Sequence, residues 1–417
     1  MRRFSTLKDI VSGGYCLSCG LCTQVVDDGA IEMRLTRDDQ LRPRVRRALT
    51  KAEEARIVQL CPGVSVTGPF GVDMIAPDPV WGDIRGTYEG WATDADTRFR
   101  ASAGGVMTAI NRYLLESGRA KFILQARAGG PDALRSEPAM IRDPNDLLSG
   151  SQSRYAPSAP LAAINEALAT GEPFAVSLKP CDVAGVRNLQ RDDPKAARNI
   201  VFTAAMFCGT VPSRDTSWKV LRRKGIDPET DPPDSFRWRG NGCPGVAVAA
   251  FPDGREVTAT YNQMWTEDRW TTQFRCKICP DAIGLQADIA TGDFWPEAVP
   301  KGETLGENGI VAHTEIGAEV LQACVAEGYL TVTETDLATI ANTQPHHVRL
   351  RQTFATRVAA AEAGGLPMPE FRNLAAKDCA SMLSAEDHAA TFQGTLERVR
   401  AGQGDECSEF DDGVEDG

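Results

Sequence analysis

Three cysteines at strict intervals, Cys16-x2-Cys19-x2-Cys22, stand near the start of this chain, and a fourth, Cys61, followed by Pro62, comes 39 residues after Cys22. Sulfur ligands at that spacing sit on a tight loop around a metal centre, so the fold must bring Cys61 back to the triplet. The intervening residues supply the means. Ala30-Ile-Glu-Met-Arg-Leu35 and Leu41-Arg-Pro-Arg-Val45 flank a polar stretch and read as a hairpin. Thr50-Lys-Ala-Glu53 is a capping box that opens a short helix, and the helix stops at Cys61-Pro62. Four thiolates suit a 4Fe-4S cluster, in which each iron takes one external sulfur. A four-sulfur zinc site and unliganded thiols are the alternatives. In the bacterial ferredoxin pattern a nearby fourth cysteine serves a second cluster; Cys61 has no partner triplet, so it belongs with its own.

The chain has 12 cysteines in 417 residues, gathered in short motifs, and its 42% hydrophobic and 24% charged content is ordinary for a globular protein with real cores. A bulk disulfide scaffold is thereby excluded, and metal is the better use of the sulfur. From about Tyr88 the pattern alternates strand and helix. A helix runs from Val106 to Glu116, a strand from Lys121 to Gln125, and the apolar strand Pro173–Leu178 enters Lys179-Pro-Cys181 before a helix from Asp182 toward Leu189. The strand from Ile200 to Phe207 likewise ends on Cys208. This repetition predicts an α/β fold with a mixed, largely parallel sheet core. If the strands ending at Cys181 and Cys208 are neighbours, both thiols emerge on the carboxyl edge, where such sheets bind ligands. Cys276-Lys-Ile-Cys279-Pro280 supplies the missing pair, giving a second set of Cys181, Cys208, Cys276 and Cys279, with zinc again the alternative. Cys324 and Cys379, in helical stretches, read as small core residues; Cys243 lies in a glycine-rich loop and Cys407 in the tail.

The expected organisation is a ferredoxin-like 4Fe-4S domain over residues 1–80, an α/β domain with the second four-cysteine set over 81–335, a helical C-terminal region over 336–403, and a disordered acidic tail over 404–417. The tail holds seven acids and no base; without them the chain stands at −5 rather than −12. That balance gives no support to nucleic-acid binding. The first residues carry arginines without an apolar run behind them, and no window reaches about eighteen apolar residues, so a cytoplasmic protein with no membrane span is expected.

The ordered motifs resemble the coenzyme F-420 (F420) hydrogenase/dehydrogenase beta-subunit family, which includes 7-hydroxymethyl chlorophyll a reductase-like proteins. The resemblance runs from the Cys16 motif and Cys61-Pro62 through Ser102-Ala-Gly-Gly-Val106, Ser151-Gln-Ser-Arg-Tyr155, Lys179-Pro-Cys-Asp182, Phe207-Cys-Gly-Thr-Val-Pro-Ser213 and Arg239-Gly-Asn-Gly242 to Cys276–Pro280 and Ala287–Trp295. It implies an iron–sulfur flavoprotein oxidoreductase with two 4Fe-4S clusters and FAD, working with ferredoxin or coenzyme F420 as electron donor or acceptor and with an organic substrate. It also implies an FAD pocket of Ser102, Ala103, Gly104, Gly105, Val106, Ser153, Arg154, Tyr155, Lys179, Arg239, Gly240, Asn241 and Gly242. On the residues alone, Ser102-Ala-Gly-Gly105 offers free amides at a helix start for a flavin pyrophosphate, and equally a plain tight turn. Lys179 and Arg239 read either as groups that tune the flavin or as ion-pair members. Lys179, Tyr155, Asp288 and Asp293 are the candidates for a catalytic role. Two rival functions stand beside this one: a non-catalytic electron-transfer subunit with a partner chain, and a zinc-stapled binding module.

Overall fold

Phe174–Leu178 is buried at every residue, as a strand covered on both faces must be. It belongs to a sheet of eight strands: β1 (Gly86–Ala92), β2 (Ile123–Ala128), β3 (Ser136–Ile141), β4 (Phe174–Leu178), β5 (Ile200–Met206), β6 (Ile289–Asp293), β7 (Asn308–Ala312) and β8 (Leu330–Glu334). The computed structural model describes residues 4–26, 28–70, 74–129, 132–267 and 270–402; the acidic tail with Cys407 lies outside the described residues. The sheet order is β8-β1-β7-β6-β5-β4-β2-β3. The four strands β2, β4, β5 and β6 run parallel. Antiparallel pairing adds β7, β1 and β8 on one side and β3 on the other, so the fold is a mixed α/β sheet.

Two apolar layers cover this sheet. The helix Val106–Glu116 buries Val106, Ile110 and Leu114 against Ile123, Phe202 and Ile310. On the other face the helix Pro180–Asp192 buries Val183, Val186 and Leu189 against Phe122, Val176 and Leu178. β4 and β5 are neighbours, with Ser177 against Ala204 and Leu178 against Ala205, so the chain leaves both strands on the same edge. That adjacency brings the segments carrying Cys181 and Cys208 together.

Toward the N-terminus, Ile31–Leu35 and Leu41–Val45 pair as an antiparallel hairpin, and the helix Lys51–Leu60 follows it. Thr50 and Glu53 form the expected reciprocal cap. Ile57, Tyr15 and Val64 then pack with Phe274, Ala361 and Val399, so this segment shares one core with the second cysteine segment and with the helices Pro345–Ala363 and Ala385–Arg400. A parallel pairing of Ser65–Thr67 with Glu370–Arg372 joins the two ends of the described chain. Among the described residues no helix is long and apolar enough to cross a membrane. The cap is open to a simple test: Thr50→Ala is expected to lower apo-protein stability by about 1 kcal/mol, read as a shifted urea midpoint.

Candidate functional site

Cys16, Cys19, Cys22 and Cys61 line one enclosed cavity with Leu7, Ile10, Leu17, Leu21, Ile57 and Leu60. The returning helix ends on Cys61, whose backbone N–H still donates to Ile57 O, so the cap residue turns its thiol toward the triplet. The fit there is close. A Cβ on Gly63 would lie 2.2 Å from Tyr15 O and 3.3 Å from the Cys61 sulfur. Burial pushes the Cys61 thiol up to about 12, with Cys16 beside it adding to the effect. Burial and the neighbouring cysteines likewise hold Cys19 and Cys22 well above the usual thiol range. Thiols raised in this way ionise together only around a positively charged group.

The second set forms where β4 and β5 end. Lys179-Pro180 turns the chain from β4 into the helix that carries Cys181, and Cys208 follows β5 directly. Cys208 N donates to Ala282 O at 2.8 Å, which ties the end of β5 to the loop after Cys279. Asp281 Oδ1 accepts from the amides of Ile283, Gly284 and Leu285 at 3.2, 2.8 and 3.1 Å, fixing that loop. Burial raises the thiols of Cys181 and Cys208, each of which also feels Cys276. Cys279 is pushed up to about 11 by burial, against the opposing pull of Arg275. Among the described residues no three His, Cys, Asp or Glu side chains converge as a site for a single metal ion.

Two ionic links lie between the sets. Lys179 Nζ donates to Asp182 Oδ2 at 2.6 Å, and the charge of Asp182 acts on Cys19 of the first set and on Cys181 and Cys208 of the second. Arg275, 2% exposed, donates from Nε to Gly63 O at 2.7 Å and from a terminal nitrogen to Pro62 O at 3.2 Å. Its charge acts on both Cys61 and Cys279.

Beyond the second set opens a cleft of about 960 Å³, with Cys208 and Cys276 in its lining. Its size is at the upper end of ligand pockets. Of the residues singled out from sequence, Ser102, Ala103, Gly105, Ser153, Arg154, Tyr155, Lys179, Arg239 and Asp293 line it. Ser102 knits three of the motifs together: its Oγ accepts from Ser153 N at 2.7 Å and its carbonyl accepts from Arg239 at 2.7 Å. Arg239 also forks onto both carboxylate oxygens of Asp293 at 2.9 Å. Arg154 has no such answer; its Nε is buried without a partner, and burial alone pushes the group down to about 10.

Gly104, Val106, Gly240, Asn241 and Gly242 do not line the cleft. A Cβ on Gly104 would lie 2.8 Å from Gly90 O, and one on Gly240 2.5 Å from Arg100 O, so these glycines permit close backbone packing behind the wall. Asp288 is also elsewhere. Its carboxylate accepts from Thr203 N and Oγ1, Arg187 and Thr314, an arrangement that latches β5 to β6. Cys243 is buried behind the Arg239 fork, and Cys324 and Cys379 are buried core residues.

Sequence reasoning missed the aromatic wall and the C-terminal contribution. Trp265 and Trp270 stack at 3.9 Å, Tyr155 meets both, and Tyr261 and Trp295 flank the guanidinium of Arg239. His346, His347 and Arg357 reach the cleft from the helix Pro345–Ala363. The concentration of tryptophan between 265 and 295 was the available signal.

Comparison with known proteins bears on this arrangement. Residues 87–165 match the N-terminal part, and residues 171–337 the C-terminal part, of the family described as coenzyme F420 hydrogenase/dehydrogenase, beta subunit. Among curated relatives, the coenzyme F420-dependent sulfite reductase of Methanocaldococcus jannaschii is 26% identical over 76% of this chain and 47% of its own length. The F420-dependent formate dehydrogenase 1 subunit beta of Methanococcus maripaludis is 26% identical over 57% of this chain and 59% of its own. The chain thus spans about half the length of those two relatives. The coenzyme F420 hydrogenase subunit beta of Methanosarcina barkeri is 25% identical over 60% of this chain and 82% of its own. A chain of the F420-reducing [NiFe] hydrogenase complex from Methanosarcina barkeri superposes with a TM-score of 0.54 at 20% identity, covering 68% of this chain and 95% of that one, and so shares its fold. Because the two family matches between them take in the central sheet and the motifs that meet through Ser102, more than half of the chain, the chain belongs to the coenzyme F420 hydrogenase/dehydrogenase beta-subunit family.

Proposed function

We propose that the chain is an iron–sulfur flavoprotein oxidoreductase, with two 4Fe-4S clusters and FAD between a low-potential donor, reduced ferredoxin or coenzyme F420, and an organic substrate. The observation that carries this reading is the order of the parts. Cys208 and Cys276 of the second set open on the cleft, and the first set lies behind it across Arg275 and the Lys179–Asp182 pair.

When bound, FAD would exchange electron pairs on one side and single electrons on the other. The protein's part is binding and tuning. Arg154, Ser102 and Ser153 would hold the pyrophosphate, the rings of Tyr155, Trp265 and Trp270 would present flat faces to the cofactor or substrate, and Lys179 would keep a cation beside the second cluster. In this reading residues 1–80 hold the first cluster, 81–335 hold FAD and the second, and 336–403 close the cleft.

Anaerobic purification is the test. About eight iron and about one FAD per chain are expected, in a brown protein bleached by dithionite. A colourless protein with stoichiometric zinc would overturn the proposal. The relatives named as beta subunits favour a second reading, in which the chain passes electrons to a separate catalytic partner. Substrate turnover by the isolated chain would rule that out, and a heavy partner in native mass spectrometry would support it.

A further inference from the structure

The helix Pro345–Ala363 lies beyond residue 337, where the family match ends, yet two of its arginines reach back to the second cysteine segment. Arg357 donates to Lys277 O at 2.9 Å, a carbonyl between Cys276 and Cys279. Arg351 donates to Pro280 O, one residue after Cys279. The Cys279 sulfur lies 3.2 Å from Asp281 O, so the chain turns around that sulfur where Arg351 takes hold. The same helix also touches the residue before Cys208. The rings of His347 and Phe207 lie 5.9 Å apart, and Phe207 is seated on Gly292, where a Cβ would come within 2.1 Å of its ring. One helix thus braces the segments that carry Cys208, Cys276 and Cys279.

The chemistry of this brace is more than mechanical. Arg351 is 0% exposed, and its guanidinium also donates to Val80 O at 3.1 Å, Pro79 O at 2.7 Å and Leu374 O at 2.9 Å. Its partners are neutral carbonyls and, at 3.5 Å, the Cys379 sulfur. A guanidinium keeps its proton even when buried, and carbonyl dipoles satisfy its N–H groups without cancelling its charge. Such a charge is costly to bury unless an anion stands nearby. Four thiolates on a 4Fe-4S core carry a net negative charge, and reduction adds one more.

We propose that Arg351 and Arg357 are positioning residues for the second 4Fe-4S cluster: they hold the Cys276–Cys279 segment in place and raise the reduction potential of the cluster. The assignment rests on the two-cluster reading above. It makes the C-terminal helix part of the metal centre rather than a cover for the cleft alone.

The experiment uses the full chain, purified anaerobically, in the Cys61→Ser background, where on that reading the second cluster alone remains. Arg351→Met and Arg357→Met each lose iron to a ferrous chelator about tenfold faster or more than the Cys61→Ser parent. Their remaining cluster is reduced at a lower potential, read by a redox titration monitored by electron paramagnetic resonance. Arg351→Lys and Arg357→Lys recover part of the potential and less of the iron retention, because an ammonium restores the charge without the planar fork. Arg349→Met, whose exposed side chain pairs with Asp387 from the same helix, matches the parent in both. In the Cys208→Ser background, which leaves the first cluster, neither methionine variant moves the potential. Arg357 is only partly buried, so its variant serves if Arg351→Met does not fold. An unmoved potential in the methionine variants overturns the proposal, since a merely structural helix would change iron loss alone. An equal fall in the Cys208→Ser background overturns it as well. Wild-type protein with about eight iron and methionine variants that match their parent defeat this assignment alone; wild-type protein without iron defeats the two-cluster reading itself.

Discussion

On the proposed two-cluster reading, replacing Cys61 by serine is expected to remove about half of the protein-bound iron and leave the flavin in place, and Cys208→Ser is expected to remove the other half. The argument is geometric. Cys61 shares its cavity with Cys16, Cys19 and Cys22, while Cys208 shares the edge of β4 and β5 with Cys181 and is tied to the loop after Cys279. Serine offers a harder oxygen in place of a soft sulfur, so a four-thiolate site loses one corner. Cys324→Ser, in the buried core of the helix Glu315–Ala326, is the control and keeps all its iron. Iron and labile sulfide counts, with electron paramagnetic resonance after dithionite reduction, provide the readout. Loss of all the iron from either variant would merge the two sets into one dependent unit, and loss of none would remove that cysteine from the ligand list.

The parts of the fold that were legible in sequence are those in which local signals agree. The hairpin before residue 46, the Thr50–Glu53 cap and the stop at Cys61-Pro62 each have a nearest-neighbour cause, and together they return Cys61 to the triplet. The neighbouring of β4 and β5 was inferable because short connections with a helix between two buried strands favour adjacency. The antiparallel half of the sheet was harder to read, since β1 has only glycine-interrupted alternation and finds its partners more than 200 residues later. The pairing of Ser65–Thr67 with Glu370–Arg372 has no local signature at all.

The site divides in the same way. Motif residues that meet through Ser102 were visible because each motif has its own chemistry. The wall built from Trp265, Trp270, His346 and Arg357 was not, because an aromatic or a cation on an amphipathic stretch reads as core or as solvated surface until packing places it. Asp288 shows the converse: a carboxylate preceding a strand is equally a proton source or a latch, and four hydrogen bonds to β5 and its neighbours make it a latch.

Arg275→Met is expected to destabilise the apo-protein by about 2–4 kcal/mol and, in loaded protein, to lower the reduction potentials of both clusters. The methionine keeps an apolar stem against Phe371, whose ring lies 4.8 Å from the guanidinium, but leaves Gly63 O and Pro62 O without their donor. Those carbonyls follow Cys61 directly, so the first set loosens and loses iron before the second. The potentials shift because one buried cation serves two groups of thiolates, acting on Cys61 on one side and Cys279 on the other. Without it, an electron added to either of the two proposed clusters would meet more uncompensated negative charge. Arg275→Lys separates the two effects: it restores a charge but cannot reproduce the fork onto two carbonyls. Stability should therefore stay low while the potentials recover in part. A redox titration monitored by electron paramagnetic resonance, run beside a denaturation curve for each variant, reads both. If the potentials of the retained clusters do not move in Arg275→Met, the residue is a backbone clamp alone and the two sets are electrostatically independent.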